Sequence, residues 1–326
     1  MPYINQQKLA QIAGVSASTI SKAFSGSPEI SEATRERIFS LAKEYGCFNK
    51  YHTDSYKKRI IAVISTEQKT NVYSRGLEYL EKKITDAGYL MVLSFANFAY
   101  ENQLNMLEYF SEYAKVDGII LLNSSFDLQN EYSTPIVQIL RHSSRSICDT
   151  VVSTFDVAIT SAIQHFYEMG HREIGYIGEL LSSNTLNIFR SSMKKFGLKV
   201  NEDFIRISYY RHEMAGYTEM NKLISMSKRP TAIFAAYDAI AFGAIDSILE
   251  HKMSVPENFS IIGMNNLRNF NYKNVKLTTI NEFSNAVFDV AFELLCKRMN
   301  HSVTPYQTVT FSAELIKRDS VKNLRL

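Results

Sequence analysis

Hydrophobic residues follow two rhythms along this chain, and the change falls at Ile60. Before it, apolar positions recur three and four residues apart in short runs, the spacing of amphipathic helices. One helix is predicted over Gln6–Ala13, with Leu9, Ala10, Ile12 and Ala13 on its inner face. A second follows Ser16, whose hydroxyl can accept from an otherwise unpaired first-turn amide, and buries Ile20, Ala23 and Phe24. A third follows Ser31, repeats Ile38, Leu41, Ala42 and Tyr45 at helical spacing and stops at Gly46. Only Gly14 and Val15 separate the first two helices. Ala10 and Ala13 are small enough for a close crossing, and Gly14 permits the sharp turn.

From Ile60 the pattern becomes one of apolar strands alternating with amphipathic helices. "RIIAVIS" is an apolar run with polar flanks, the mark of a strand covered on both faces. The helix "RGLEYLEKKITDAG", the strand "YLMVLSF", a helix over 100–115 and the strands "VDGIILLN" and "PIVQIL" follow. The order then repeats: "REIGYIGE", a helix over 187–197, "FIRISYY", a helix over 215–227, "TAIFAAY", a helix over 238–251 and "FSIIGM". Such alternation predicts a doubly wound α/β fold with parallel sheets, and the two series predict two similar subdomains.

Three segments result: a helical head over 1–46, a polar linker over 47–59 ("CFNKYHTDSYKKR") and an α/β core over 60–326. With 326 residues, 45% of them hydrophobic, the chain can fill cores in all of its folded parts. Residues 1–59 hold nine Lys or Arg against five Asp or Glu, while the remainder is nearly balanced, 27 against 28. A basic head on a neutral body fits a polyanion partner, and on charge alone it fits a solvated patch equally well. Cys47, Cys148 and Cys296 lie far apart and are odd in number, which predicts inert free thiols rather than disulfides or a zinc site. No apolar run approaches eighteen residues and "MPYINQQKLA" has no basic-then-apolar signal, so no membrane association and a cytoplasmic location are expected. No GxSxG, HExxH, phosphate-loop or GxGxxG pattern occurs, so no enzyme, catalytic residue, metal or cofactor is expected. The histidines lie in separate segments, and His171 in "MGHREIG" reads as structural.

"LAQIAGVSASTISKAF…SEATRERI" resembles the DNA-binding head of the lactose-repressor (LacI/GalR) transcription regulators. "VDGIILL", "MGHREIGYIG", "RPTAIFAAYDAIAFGAI", "VPENFSIIGMNN" and "LTTI" resemble that family's regulatory core, in the family's order. The resemblance covers essentially the whole chain. It implies a helix-turn-helix head that reads double-stranded operator DNA and a core similar to periplasmic solute-binding proteins. A homodimeric repressor of carbohydrate-utilisation genes would follow, with a small effector bound between two subdomains. Subdomain one would take 60–153 and 281–309, and subdomain two 154–280 and 310–326. With its apolar side inward, the second helix turns Ala17, Ser18, Ser21 and Lys22 outward. By family position Ala17, Ser18 and Lys22 would touch bases, and Ser16, Ser21 and Thr34 would approach phosphates.

Two regions depart from the family pattern. The linker lacks the "YRPNxxARxL"-like stretch that forms a hinge helix on DNA: Asn49 replaces Pro, and Tyr56 stands near the position of the Leu that wedges the minor groove. Tyr56 as a wedge and Lys57, Lys58 and Arg59 as phosphate contacts are the expectations there. In the effector site, Thr185 and Asn265 stand where sugar-binding members carry Arg and Asp. Tyr73, Arg141, Arg211 and Tyr237 are the other candidates around the cleft, and Asp238 either caps its helix or binds ligand. The arginines read equally as surface ion pairs or as ligands for an anionic carbohydrate, such as a sugar phosphate. A regulator whose pocket has degenerated, constitutive or governed by a protein partner, is the alternative. A solute-binding receptor would need an export signal.

Overall fold

The computed structural model describes residues 4–48, 59–66, 71–123, 128, 131–140, 147–267, 271–282, 284–301 and 304–325. Contacts divide the chain between Arg59 and Ile60 into two units. In the first, Gln6–Ala13 (α1), Ala17–Phe24 (α2) and Glu32–Glu44 (α3) are each started by a polar cap. Asn5 Oδ1 accepts from Lys8 N at 2.9 Å, Ser16 Oγ from Thr19 N at 3.0 Å and Ser31 Oγ from Thr34 N at 3.3 Å. Gly14, at φ +63°, reverses the chain after α1 in the left-handed region that side chains disfavour. Leu9, Ala10, Ala13, Ile20, Ala23, Phe24, Ile38, Ala42 and Cys47 form the core. Arg37 donates from Nη2 to the Ala13 carbonyl at 2.7 Å, placing a cation at the C-terminal end of α1. Tyr45, predicted inward, is 39% exposed, because α3 ends at Glu44 and the chain turns away at Gly46.

Among the described residues, the second unit contains two six-stranded sheets. The first runs in the order β13-β5-β4-β3-β1-β2: Ile60–Ser65 (β1), Leu90–Phe95 (β2), Gly118–Leu122 (β3), Ile136–Leu140 (β4), Asp149–Thr154 (β5) and Thr308–Ser312 (β13). Every pairing in it is parallel. Alternate residues of β1 serve opposite faces. Ile61 and Val63 pack with Leu77, Leu80 and Ile84 of Asn71–Asp86 (α4) and with Asn285–Met299 (α10). Ala62 and Ile64 pack with Leu107 of Tyr100–Glu108 (α5) and with Phe110 in the following π-helical turn. That turn, Tyr109–Tyr113, ends the regular helix earlier than the predicted 100–115.

The second sheet runs β14-β12-β9-β8-β6-β7: Ile174–Glu179 (β6), Ile205–Ser208 (β7), Ala232–Ala235 (β8), Ser260–Met264 (β9), Thr278–Asn281 (β12) and Glu314–Ile316 (β14). Its strands are parallel except β14, which is antiparallel to β12. Asp156–Glu168 (α6), Ser183–Lys195 (α7), His212–Ile224 (α8) and Asp238–Glu250 (α9) belong to this half. A short hairpin, Asn271–Tyr272 (β10) with Val275–Lys276 (β11), lies outside both sheets. The strand predicted over "FIRISYY" stops at Ser208, leaving Tyr209 and Tyr210 exposed in the loop before α8. The chain passes between the sheets after Thr154, after Asn281 and at Ala313; β13 lies wholly in the first sheet, so the third passage falls beyond the expected 309–310 boundary.

Two features of the second half lend themselves to test. Gly216 of α8 faces the Ile240 carbonyl of α9, and Gly243 of α9 faces the Glu213 carbonyl of α8, so a Cβ at either would overlap the other helix's backbone. Gly243→Ala is expected to cost about 3 kcal/mol or more in equilibrium unfolding, since backbone cannot yield as a flexible side chain does. His171 is buried between strand and C-terminal segment; Nε2 donates to the Lys322 carbonyl at 3.1 Å and Nδ1 lies 2.9 Å from Thr231 Oγ1. Burial outweighs the Lys322 bond and pushes the imidazole down from 6.5 to about 4. A depressed pKa contributes stability above about 6.5 that is lost as pH falls toward 4, at most ~3 kcal/mol. Thermal unfolding across that range should show the loss, and His171→Gln should flatten it.

Candidate nucleic-acid interface and effector cleft

The outer face of α2 is small and polar. Ala17, Ser18 and Ser21 are exposed, and Lys22 is partly exposed. Ser16 spends its oxygen on the α2 cap, yet the residue remains exposed and its Oγ lies 2.8 Å from Thr19 Oγ1. Thr34 is half-buried at the start of α3, with Oγ1 2.8 Å from Ser31 Oγ. Lys22 is the one charged residue of α2, and its ammonium is paired with Glu29 Oε2 at 2.5 Å. Glu29 was not a sequence candidate; its place in the loop "GSPEIS" gives no periodic signal. Arg59 is exposed, whereas Tyr56, Lys57 and Lys58 lie outside the described residues.

In the core, the C-terminal ends of β6, β8, β9 and β12 bring Glu179, Tyr237, Asn265 and Glu282 to one edge of the second sheet. Ligands of open parallel sheets bind at such strand ends. Glu179 is fixed by Ser182: its own N donates to Ser182 Oγ at 3.0 Å, and that hydroxyl donates to the Glu179 carbonyl at 2.7 Å. Arg211, in the residue preceding α8, donates from Nε to both Glu179 carboxylate oxygens at 3.1 and 3.2 Å. Its guanidinium also lies 5.3 Å from the centre of the Phe98 ring, which comes from the first half of the core. Arg75 of α4 donates to the Asn266 carbonyl at 2.8 Å, a second link between the halves. Arg211 is therefore a paired cation rather than a free one.

The other effector candidates differ in burial and bonding. Thr185 is buried in the first turn of α7. Asn265 is buried and donates from Nδ2 to Glu282 Oε2 at 3.1 Å, with φ at +108°. Tyr237 is partly buried and precedes α9 as its N-cap residue. Asp238 forms no cap bond: its carboxylate accepts from Leu267 N at 2.8 Å and from Thr279 Oγ1 at 2.6 Å. Burial pushes it up to about 6 against those two bonds, and it ties α9 to β12 and to the loop after β9. Tyr73 sits in the first turn of α4; its side chain and all of Arg141 lie outside the described residues. Glu179 and Arg75 were missed. A lone charge closing the apolar run "REIGYIGE" is the signal that could have exposed Glu179.

Comparison with known proteins follows the same division. Residues 7–48 match the family described as bacterial regulatory proteins, lacI family, and residues 163–321 match the periplasmic binding protein-like domain. The HTH-type transcriptional repressor PurR of Escherichia coli O1:K1 / APEC is 29% identical over 96% of this chain and 95% of its own length. The chain belongs to the lacI family of bacterial regulatory proteins. This lacI-family regulator is thus a DNA-binding transcription regulator and not an enzyme. Its fold is shared with the lac repressor dimer bound to operator and the anti-inducer ONPF (17% identity, TM-score 0.69, 98% of this chain and 99% of that one). The transcriptional regulator CelR–cellobiose complex shows the same fold (20% identity, TM-score 0.68, 98% and 100%). Among the described residues no helix is long and apolar enough to cross a membrane.

The cap of α2 can be tested apart from DNA. Ser16→Ala should cost about 1 kcal/mol of local stability, read as roughly fivefold faster amide exchange in α2 with α3 unchanged.

Proposed function

We propose that this regulator is a homodimeric repressor that acts on DNA in the cytoplasm and is released or engaged by a carbohydrate bound between the halves of its core. On the DNA side, Ala17, Ser18 and Lys22 would meet base edges in the major groove, while Ser16, Ser21, Thr34, Lys57, Lys58 and Arg59 would meet phosphates. One recognition helix covers too few base pairs to select a site, so two heads must act together. The open edge strand β2, with Leu90 exposed, and the exposed Tyr109 and Tyr113 beyond α5 supply an apolar face suited to a second copy.

The observation that carries the effector reading is the Glu179–Arg211 pair lying against Phe98 of the opposite half. A carboxylate and a guanidinium side by side accept from and donate to neighbouring sugar hydroxyls, and a ring beside them suits the apolar face of a pyranose. This arrangement takes over the task of the Arg and Asp replaced by Thr185 and Asn265. It also favours a neutral sugar over a sugar phosphate, because Arg211 is already balanced and a phosphate would be repelled by Glu179. The same fold occurs in a transcriptional regulator in complex with cellobiose, which supports a carbohydrate effector. Ligand would favour one degree of closure, and the dimer would convert closure into a changed spacing of its heads. A substantial shift of occupancy needs a few kcal/mol of difference in affinity between the two states.

The test is a thermal-shift screen of neutral sugars and their phosphates, followed by DNA binding with each hit. A neutral sugar should raise Tm by several degrees and change DNA affinity at least tenfold. Arg211→Ala and Glu179→Gln should each weaken that sugar at least tenfold. Stabilisation by a phosphate alone, or a hit indifferent to both substitutions, would overturn the assignment of the pair.

A further inference from the structure

We infer that Glu29 is a positioning residue for DNA reading: it holds the Lys22 ammonium in the orientation from which it addresses a base edge. The inference rests on Lys22 as a base-reading residue and adds what directs it. Three observations carry it. The Lys22–Glu29 pair is formed although both side chains are substantially exposed, 44% and 65%. The loop bearing Glu29 is fastened to α2 next to Lys22, because Ser27 N donates to the Lys22 carbonyl at 3.0 Å. The same loop is gripped from the other side by Arg35, whose Nη2 donates to the Ser27 carbonyl at 2.8 Å while its Nη1 pairs with Glu32 at 2.9 Å. Glu29 is thus presented by a held backbone rather than by a wandering loop.

An ammonium has three donors, so a bond to Glu29 leaves two for guanine O6 and N7. Lysine lacks the planar fork that pre-sets arginine, and its long stem loses freedom when it binds. A carboxylate anchored beside it limits that freedom in advance. The same anchor keeps the ammonium from swinging to the nearest phosphate, the contact that every DNA sequence offers. Glu29 should therefore lower affinity for arbitrary DNA while sparing the base contact.

The experiment uses the full chain and two duplexes of equal length: one selected from a random pool with the wild-type protein, and one scrambled version of it. Affinities are measured at one fixed salt concentration for wild type, Glu29→Gln, Lys22→Ala, the double variant and Glu36→Gln as a control for charge. Glu29→Gln should tighten binding to the scrambled duplex by roughly two- to fivefold, the range open to an exposed pair. Its selected-to-scrambled ratio should fall by a similar factor, and Glu36→Gln should leave the ratio unchanged. In the Lys22→Ala background the effect of Glu29→Gln on the ratio should vanish. A ratio unmoved by Glu29→Gln, or moved equally without Lys22, overturns the inference. A ratio unmoved by Lys22→Ala overturns the base-reading role itself and separates that failure from the first.

Discussion

Three backbone segments cross between the two sheets of the core, and hydrogen bonds lash them together. Ser153 Oγ donates to the Glu282 carbonyl at 2.7 Å, and Ala313 N donates to the Thr154 carbonyl at 2.8 Å. Three parallel connections permit a bend between the halves but resist their separation or twist. A ligand bound beside them would meet a fixed floor and movable walls, the condition for its being read as an angle. Glu282 and Asn265 join this floor to the end of β9. The Arg211–Phe98 and Arg75–Asn266 contacts link the two halves beside this floor.

Much of the architecture was legible because burial on both faces leaves long apolar runs. β1, β3, β6, β8 and β9 correspond to such runs, and the head's three helices to three-and-four spacing with Ser caps. What escaped notice lay where tertiary pairing decides. β14 is three residues long, half-exposed and paired antiparallel, and the β10–β11 hairpin has two residues a side. The π-helical turn after α5 has no signature beyond helical periodicity. "SYY" reads as strand by composition, yet β7 is an edge strand, and among the described residues no strand pairs with the chain beyond Ser208.

The site divides in the same way. The exposed face of α2 follows from its buried face by subtraction, so it was legible once Ile20, Ala23 and Phe24 were placed. The cleft depends on which strand ends become neighbours. Arg211 emerged as a candidate, but its partner Glu179 lies 32 positions away and becomes adjacent only when β6 and the loop before α8 meet. Asp238 illustrates the reverse error: an acidic residue at a helix start suggests a cap or a ligand, whereas burial turned it into a brace between α9 and β12.

The glycine contact between α8 and α9 has a mechanical meaning. Helices whose backbones touch, with no intervening side chains to shear, travel as one plate. Arg211 sits just before one helix of the plate, and Asp238 opens the other and grips Thr279 on β12. Under the proposed effector role, a pull on the guanidinium would be carried by this unit toward the strand that leads out of the second sheet. The plate would then act as a crank, with the proposed effector at one end and the inter-sheet crossing at the other.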